Sequence, residues 1–171
     1  YVYSRYCDPG ETNYDVFHSL ELKNTATVPL TTAPVMVINQ KEQFLAQDLL
    51  KYTPVGGSVD IKLSKAIDIV MRNSEEEALR TDQAKKVGKV NYGRVVIKGV
   101  VNLNNFQNKE VTVVIKKNVN GAVLSQSDGA KVTKGISYVE QNPNSTIAWE
   151  VKLSVNSKKA LTYEYEVFFA Q

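Results

Sequence analysis

The sequence predicts an all-β protein built as an antiparallel β-sandwich, and two observations support this fold class. Apolar and polar residues alternate with a period of two through most of the chain, which is typical of strands with one buried face. About ten such runs are separated by turn signals rich in Gly, Pro and Asn. Because a pair of strands cannot bury its apolar face alone, these strands require a second sheet or a closing barrel.

Residues 92–117 carry the clearest alternation in the chain. One parity is apolar on both sides of a polar turn at residues 104–109. The residues of this parity are Val95, Ile97, Val101, Leu103, Val111, Val113 and Ile115. We therefore expect two strands paired as a long hairpin, with the apolar face packed on a second sheet.

Residues 1–14 combine aromatic side chains with the turn signal Asp8-Pro9-Gly10. Two interpretations stay open for this segment, an edge strand or the remnant of a preceding region. The chain begins without Met, so we expect a processed or excised piece of a longer protein.

The first predicted half of the sandwich spans residues 15–73. Its first strand is expected to bury one parity, which consists of Val16, His18, Leu20 and Leu22. The loop at 24–34 holds two prolines and is expected to cross the domain irregularly. Further strands are predicted at 35–38, 44–52, 59–63 and 67–71. We expect the last two of these strands to pair as a hairpin.

Residues 74–91 join this half to the next, and the residue pattern there leaves two structures open. Ser74 and Glu77 have the spacing of a capping box, and good helix formers follow them. A helix would lack an apolar stripe, since residues 73–86 offer it only Ala78, Leu79 and Ala84. The segment is therefore either a solvated helical turn or a long hairpin that projects from the sheet.

The second predicted half spans residues 92–171. Beyond residue 117, strands are predicted at 122–124, 132–139, 147–155 and 161–169. A weak internal repeat relates residues 19–37 to residues 99–115, because each is a strand that ends near an Asn and continues through a polar crossing into another strand. The repeat suggests two immunoglobulin-like halves within one domain, 15–171.

Composition excludes several classes of partner. Hydrophobic residues make up 43% of the 171 and charged residues 23%, as in an ordinary globular domain. The net charge of +3 comes from 21 basic and 18 acidic residues that are interspersed, so no nucleic-acid or anionic-membrane partner is indicated. No apolar run approaches the roughly 20 residues of a membrane span, so no direct membrane insertion is expected.

Several segments, in order, resemble one known family. They are the strand end at Asn24, PLTTAPV at 29–35, YTPVGGSVDIKLSKAIDIVMR at 52–72, the strand-turn-strand at 95–116 and STIAWEVKLSVNSKKALTYEYEV at 145–167. They resemble the all-β domain of unknown function from the C-terminal region of mucoidy-inhibitor-like bacterial exported proteins, over nearly all of residues 15–169. Ala33 stands where many members have Gly. The resemblance implies an all-β fold and an extracytoplasmic location, which is periplasmic, cell-envelope or secreted, and no established activity.

The single histidine and the single cysteine make a weak case for catalysis. His18 shares the apolar parity of its strand, where a histidine is usually a hydrogen-bonded core residue. A Cys7–His18 nucleophile pair is conceivable, but Cys7 lies beside a Pro-Gly turn without a helix start or a positive cluster to lower its pKa. One cysteine also excludes an internal disulfide and zinc sites built from two or more cysteines.

The carboxylates and glycines likewise match no catalytic motif. The run 75–77 is three adjacent glutamates, which cannot all face one point, so a solvated surface is the favoured interpretation over a loose calcium contact. Asp60 and Asp68 could approach each other across the predicted hairpin. Exposed strand carboxylates usually just face solvent, and this is the favoured interpretation. Gly56-Gly57 precedes neither a helix nor a Lys-Ser/Thr pair, so a phosphate loop is rejected.

The sequence therefore predicts no catalytic, cofactor-binding or metal-ligating residue and no cofactor. We expect a non-enzymatic, extracytoplasmic structural or protein-interaction module of a larger bacterial envelope or secreted protein. Its partner would be a protein or a neighbouring domain of the same chain, contacted through the loops at 24–34, 73–86 and 104–109. The alternative is a carbohydrate-binding β-sandwich module, for which Phe17 and Phe168 are aromatics of exposed parity. The sequence does not determine the oligomeric state.

Overall fold

The computed structural model describes the backbone of residues 3–7 and the full residues 15–135 and 141–171. Within these ranges the chain forms twelve strands and no helix, which confirms the all-β fold class. The strands are β1 (Tyr3–Cys7), β2 (Val16–Lys23), β3 (Ala33–Ile38), β4 (Phe44–Leu50), β5 (Ser58–Lys65), β6 (Ile69–Val87), β7 (Val90–Asn105), β8 (Val111–Asn120), β9 (Ala122–Gln126), β10 (Lys131–Lys134), β11 (Asn144–Leu153) and β12 (Lys158–Ala170).

The strands form three sheets. A six-stranded sheet has the order β10-β11-β8-β1-β2-β5, a four-stranded sheet has the order β6-β7-β12-β9, and β3 and β4 form a two-stranded sheet in the described part of the chain. Neighbouring strands are antiparallel except for β1 and β8, which are parallel. This arrangement is consistent with the predicted sandwich.

The main core lies between the two larger sheets. The fully buried side chains include Leu103 and Leu161 from the four-stranded sheet and Val113, Ile147 and Trp149 from the six-stranded sheet. The Trp149 ring packs against the Tyr163 ring, with centroids 5.9 Å apart. Most residues predicted to face inward in β7, β8, β11 and β12 do so, because their parity follows the pleat of the strand.

The predicted hairpin over residues 92–117 is wrong, although its buried parity is right. β7 pairs with β6 and β12, whereas β8 pairs with β11 and β1 in the other sheet. The two strands are therefore joined by an arch that crosses from sheet to sheet. Their apolar faces meet across the sandwich instead of lying side by side, and the same alternation describes both arrangements.

The predicted hairpin between residues 59–63 and 67–71 is also wrong. β5 pairs with β2, and β6 pairs with β7 in the opposite sheet. The chain crosses at Ala66, which is buried and donates its backbone N–H to the Val16 carbonyl at 2.7 Å. Asp60 and Asp68 consequently do not lie on neighbouring strands.

Residues 74–91 form the hairpin and not the helix. β6 and β7 pair from Ile69 opposite Asn105 to Val87 opposite Val90, and Gly88 takes a positive φ of 60° in the turn. Side chains from residue 74 to residue 90 are exposed, which agrees with the absence of an apolar stripe. We call residues 74–91 the arm.

Two sets of four strands share one pairing scheme. In the first unit, β2 pairs with β5 and β3 pairs with β4; in the second unit, β7 pairs with β12 and β8 pairs with β11. In each unit a loop leads from the first strand to the second. This loop includes the predicted loop 24–34 in the first unit and 104–109 in the second unit. The prediction of two immunoglobulin-like halves with bounds 15–73 and 92–171 stays a prediction.

The strands predicted at 122–124 and 132–139 agree in part with the structure. β9 extends the strand predicted at 122–124, and β10 covers the start of the strand predicted at 132–139. Residues 136–140 lie outside the described part of the chain, as do residues 1–2 and 8–14. Within residues 1–14, β1 pairs with β2 and β8 inside the six-stranded sheet, so the segment does not form an edge strand there.

Candidate functional site

The β3–β4 hairpin presents an apolar, exposed outer face. Pro34 lies opposite Leu49, Met36 opposite Gln47 and Ile38 opposite Phe44, and opposite residues of an antiparallel pair share one face. Met36, Ile38, Phe44 and Leu49 are exposed by 65%, 56%, 61% and 55%. We call the five apolar residues the apolar face: Pro34, Met36, Ile38, Phe44 and Leu49. Side chains of this type are normally buried, so an exposed set of five on one face indicates a contact surface.

The opposite face of the same hairpin turns toward the rest of the domain. Val35 and Val37 are half-buried and Ala46 is buried. The Asp48 carboxylate accepts the backbone N–H of Lys62 in β5 at 2.7 Å, which ties β4 to the edge of the six-stranded sheet. The hairpin is therefore held on its inner side and exposed on its outer side.

A buried asparagine holds the loop that leads into β3. The Asn24 side chain accepts the Ala26 N–H at 3.0 Å and donates to the carbonyls of Val28, Thr53 and Pro54 at 3.0–3.2 Å. We call this arrangement the Asn24 corner. Because these contacts join the loop at Ala26 and Val28 to the chain at Thr53 and Pro54, the corner fixes the entry of β3.

A second asparagine repeats this arrangement at the loop 104–109. Asn105 accepts the Gln107 N–H at 3.0 Å and donates to the carbonyls of Lys109, Leu153 and Ser154 at 3.0, 3.4 and 2.9 Å. We call this the Asn105 corner. Two of the three predicted contact loops are thus fixed turns, while Val28 and Phe106 within them are exposed.

The third predicted contact region, residues 73–86, begins in a polar cluster at the base of the arm. The Tyr163 hydroxyl lies 2.6 Å from Glu75 Oε1 and 3.0 Å from Asn73 Oδ1, and Lys117 Nζ lies 3.0 Å from the same Glu75 oxygen. The Tyr165 hydroxyl reaches the other Glu75 oxygen at 3.4 Å. We call these five residues, Asn73, Glu75, Lys117, Tyr163 and Tyr165, the polar cluster. It joins β6 and β12 of one sheet to β8 of the other.

The polar cluster shifts the pKa values of its own members. Burial acts to raise the pKa of Glu75, but hydrogen bonds from Tyr163, Lys117 and Tyr165 and the Lys117 charge outweigh burial and lower it. Burial, and then the Glu75 carboxylate, raises the pKa of Tyr163 far above its usual range. The same two causes raise the pKa of Tyr165 to about 12. At neutral pH the cluster therefore holds a carboxylate on Glu75 and two neutral phenols.

The glutamates at 75–77 are exposed, as the surface interpretation expects, and Glu75 also belongs to the polar cluster. Glu76 is exposed, and Glu77 pairs with Arg80 at 2.7 Å on the exposed arm, as expected for a surface. Glu75 lies opposite Gly99 and has the same parity in β6 as the buried Ile69 and Met71, and its carboxylate lies 2.6 Å from the Tyr163 hydroxyl. Gly99 is needed there, since an added Cβ would overlap the Tyr163 ring that crosses over it.

Three asparagines line a shallow cavity of about 460 Å³ on the outer side of the β8–β11 pair. Asn120 lies opposite Asn144 and Asn118 lies opposite Thr146, whose hydroxyl donates to the Asn118 side-chain oxygen at 2.7 Å. We call this the amide groove. Carboxamides offer donors and acceptors together, so the groove suits a neutral ligand rich in hydroxyl groups.

The single histidine lies in β2 beside a register shift. The pairing of β2 with β5 shifts register between His18 and Ser19. Ser19 is fully buried and Leu22 is exposed, so the predicted inward parity holds only in part of β2. His18 itself is half-buried, and its backbone pairs with Arg5 while Cys7 pairs with Val16. The Cys7 side chain lies outside the described residues.

The aromatics of exposed parity are covered by lysines. Lys62 Nζ lies 4.7 Å from the centre of the Phe17 ring, and Lys85 Nζ lies 5.6 Å from the centre of the Phe168 ring. The Asn142 side chain binds the backbone of Phe168, since it donates to the Phe168 carbonyl and accepts the Phe168 N–H. Neither ring is therefore an open stacking platform for a sugar.

In residues 15–135 and 141–171, no three His, Cys, Asp or Glu side chains gather as metal ligands. Those ranges likewise contain no helix long and apolar enough to cross a membrane.

Comparisons with known proteins yield no relative: the chain matches no family model, no curated protein and no solved structure.

Proposed function

We propose that this chain is a non-enzymatic protein-interaction module, and that the apolar face of β3–β4 is the surface that binds the partner. The proposal rests on one observation, the exposure of Met36, Ile38, Phe44 and Leu49 by more than half on one face of a two-stranded sheet. Burial of such side chains contributes about 1.5–3 kcal/mol each at full transfer, so covering this face favours association.

The shape of the hairpin favours a protein over a small ligand. The apolar face is a row along two strands. Among the described residues β3 and β4 pair only with each other, which leaves one edge of each strand unpaired there. A partner can therefore contact side chains and extend the sheet at once. The partner is a separate protein or a neighbouring domain of a longer chain, in an extracytoplasmic compartment of a bacterium.

Site-specific photo-crosslinking in the cells that make the protein tests this proposal. A photoreactive amino acid is placed at Met36 or at Phe44, and, as a matched control, at Asn118 on the corresponding outer face of β8–β11. We expect a discrete adduct from the first two positions, with a protein or chain segment that mass spectrometry identifies. The double variant Ile38→Lys, Leu49→Lys should lose the adduct.

Two results would count against the proposal. One is an adduct pattern that is the same at Asn118 as at Met36. The other is an absence of adducts at Met36 and Phe44 although the labelled protein is folded and exported at normal levels.

A second function has its own supporting observation. The amide groove, with Asn118, Asn120, Asn144 and Thr146, suits the hydroxyl groups of a sugar, which supports the carbohydrate-binding alternative. A glycan array decides between the two. Binding at millimolar sugar that disappears in Asn144→Ala, Asn120→Ala but persists in Ile38→Lys would support this second function.

A further inference from the structure

β3 of the first unit and β8 of the second unit correspond residue by residue. Leu30 and Val111 each lie six residues after a corner asparagine. Each pairs with the residue whose carbonyl accepts from that asparagine, which is Thr53 in the first unit and Leu153 in the second. The two strands therefore leave their corners in the same register.

The structure shows how this position is completed in the second unit. β8 has β11 on one side and β1 on the other, and β1 runs parallel to β8 along residues 112–115. β1 pairs on its far side with β2 of the first unit, so β8 receives this neighbour from outside its own unit. The corresponding edge of β3 has no neighbour in the described part of the chain, and we call it the open edge of β3.

Backbone groups of β3 point toward the open edge. Leu30 and Thr53 exchange two backbone hydrogen bonds of 2.9 Å, and the pairing with β4 keeps the same register through Val37. Because the bonding direction alternates along a strand, Ala33, Val35 and Val37 direct their N–H and C=O groups away from β4. An added strand would bind these groups.

The far edge of β4 is a poorer site. The Asp48 carboxylate accepts the backbone N–H of Lys62 at 2.7 Å, so β4 lies against β5 on that side. Addition to the hairpin is therefore expected at β3.

We propose that an extended segment of a separate protein pairs with the open edge of β3 and runs parallel to it, as β1 does on β8. This binding mode rests on the proposed function, in which the β3–β4 hairpin binds the partner. Neighbouring side chains of paired strands contact each other, and β3 is apolar on both parities. We therefore expect apolar residues in the bound segment, and those on its outer side would extend the apolar face.

The edge strands of this chain are poor occupants, which favours a separate protein over a second copy. β6 carries the glutamates 75–77, and β5 carries Asp60, Lys62 and Lys65. Charged side chains on an edge strand oppose strand addition. β9 and β10 have only five and four residues.

Photo-crosslinking from two positions on β3 reads the direction of the bound segment. A photoreactive amino acid at Pro34 or at Ile38 lies on the outer face, beside the added strand. In a parallel pair, the partner residue that reacts from Ile38 lies about four residues C-terminal to the one that reacts from Pro34. Mass spectrometry of the two adducts identifies both partner residues.

A proline variant tests the backbone pairing independently. Val35→Pro removes an N–H that points to the open edge, whereas Val35→Ala shortens the side chain but keeps this N–H. We expect the adduct yield from Met36 to be roughly tenfold lower in Val35→Pro than in Val35→Ala, because one partner carbonyl loses its donor. Circular dichroism checks that both variants fold as the wild type does.

The outcomes separate this binding mode from the proposed function. The reverse order of reacting residues, or equal yields from the two Val35 variants, overturns parallel addition to β3 and leaves the apolar face as the contact surface. Adducts that map to this chain's own sequence overturn the assignment to a separate protein. An absence of adducts at Met36 and Phe44 as well would contradict the proposed function itself.

Discussion

The Asn24 and Asn105 corners are nearly the same structure, yet they lead to different surfaces. Each asparagine accepts the N–H two residues ahead, donates to the carbonyl four residues ahead, and donates to two carbonyls of a distant segment. Beyond Asn105 the β8–β11 pair has a polar outer face that includes Lys116, Asn118 and Glu150, all exposed. Beyond Asn24 the β3–β4 pair has the apolar face.

This difference shows which surface is adapted to solvent. The two pairs hold equivalent places in the two units, so water alone would favour polar outer residues in both. The inner sides differ as well, since Val113 and Ile115 of β8 are buried and Val35 and Val37 of β3 are half-buried. The outer face of the first unit is thus apolar and exposed where that of the second unit is polar, and we propose that a partner covers it.

Matched valine deletions give the largest expected effect. Val113→Ala should lower the free energy of unfolding by about 2.5 kcal/mol, because its site is closed on all sides, while Val37→Ala should cost about 1 kcal/mol. Urea unfolding followed by tryptophan fluorescence measures both, since Trp149 reports on the core. Equal costs would show that the inner side of β3 is packed as well as that of β8.

Deleting the corner asparagines is the next test. Asn105→Ala should cost about 2 kcal/mol in global stability, because buried carbonyls lose their donors. Asn24→Ala should act mainly within β2–β5, and hydrogen exchange should reveal this as local loss of protection. A uniform loss of protection across all strands in Asn24→Ala would mean that the two corners are equally central.

Alkaline pH should destabilise the second unit through the polar cluster, which lies in that unit and at the base of the arm. The folded-state pKa of Tyr165 is raised to about 12, so its contribution to stability is complete below pH 10 and is lost as the pH rises from 10 toward 12. Tyr165→Phe should therefore remove about 1 kcal/mol of the stability that wild type loses between pH 9 and pH 11.

Urea midpoints at the two pH values give this difference for both proteins. The Tyr52→Phe variant is the control, because Tyr52 of the first unit is 61% exposed. An identical pH dependence for wild type and Tyr165→Phe would contradict the assignment of the alkaline loss to Tyr165.

The smallest expected effect is on the apolar face itself. Met36→Ser with Ile38→Ser should change stability by no more than about 0.5 kcal/mol, since exposed side chains contribute little to folding. The same change should reduce the binding of a hydrophobic dye, and Asn118→Ser on the equivalent face should not. A loss of several kcal/mol would mean that the apolar face is part of the core.

Alternation predicted the fold class and most of the core, but not the strand neighbours. The inward parity of Val101, Leu103 and Val113 is the same whether β7 and β8 lie side by side or face each other across the sandwich, so the arch was missed. The bulge beside His18 was also invisible, because a single extra residue in the facing strand leaves no mark on β2 itself.

The candidate sites differ in how far the sequence could indicate them. Residues 33–38, APVMVI, are apolar on both parities, which is typical of a strand that is covered on both faces. In the structure the outer parity of this strand is exposed. The polar cluster had no such signal. Glu75, Lys117 and Tyr163 are far apart in sequence. The pairing of β6 with β7 and of β7 with β12 places Glu75 near Tyr163, and β8 of the other sheet supplies Lys117.

Hydrogen exchange of the β3–β4 amides, measured on the chain alone and on the complex isolated by crosslinking at Met36, tests the central claim most directly. We expect residues 33–50 to exchange more slowly in the complex, while exchange in β8 and β11 is unchanged. Protection that appears on β8 and β11, or on the arm, with no change in residues 33–50 would contradict it.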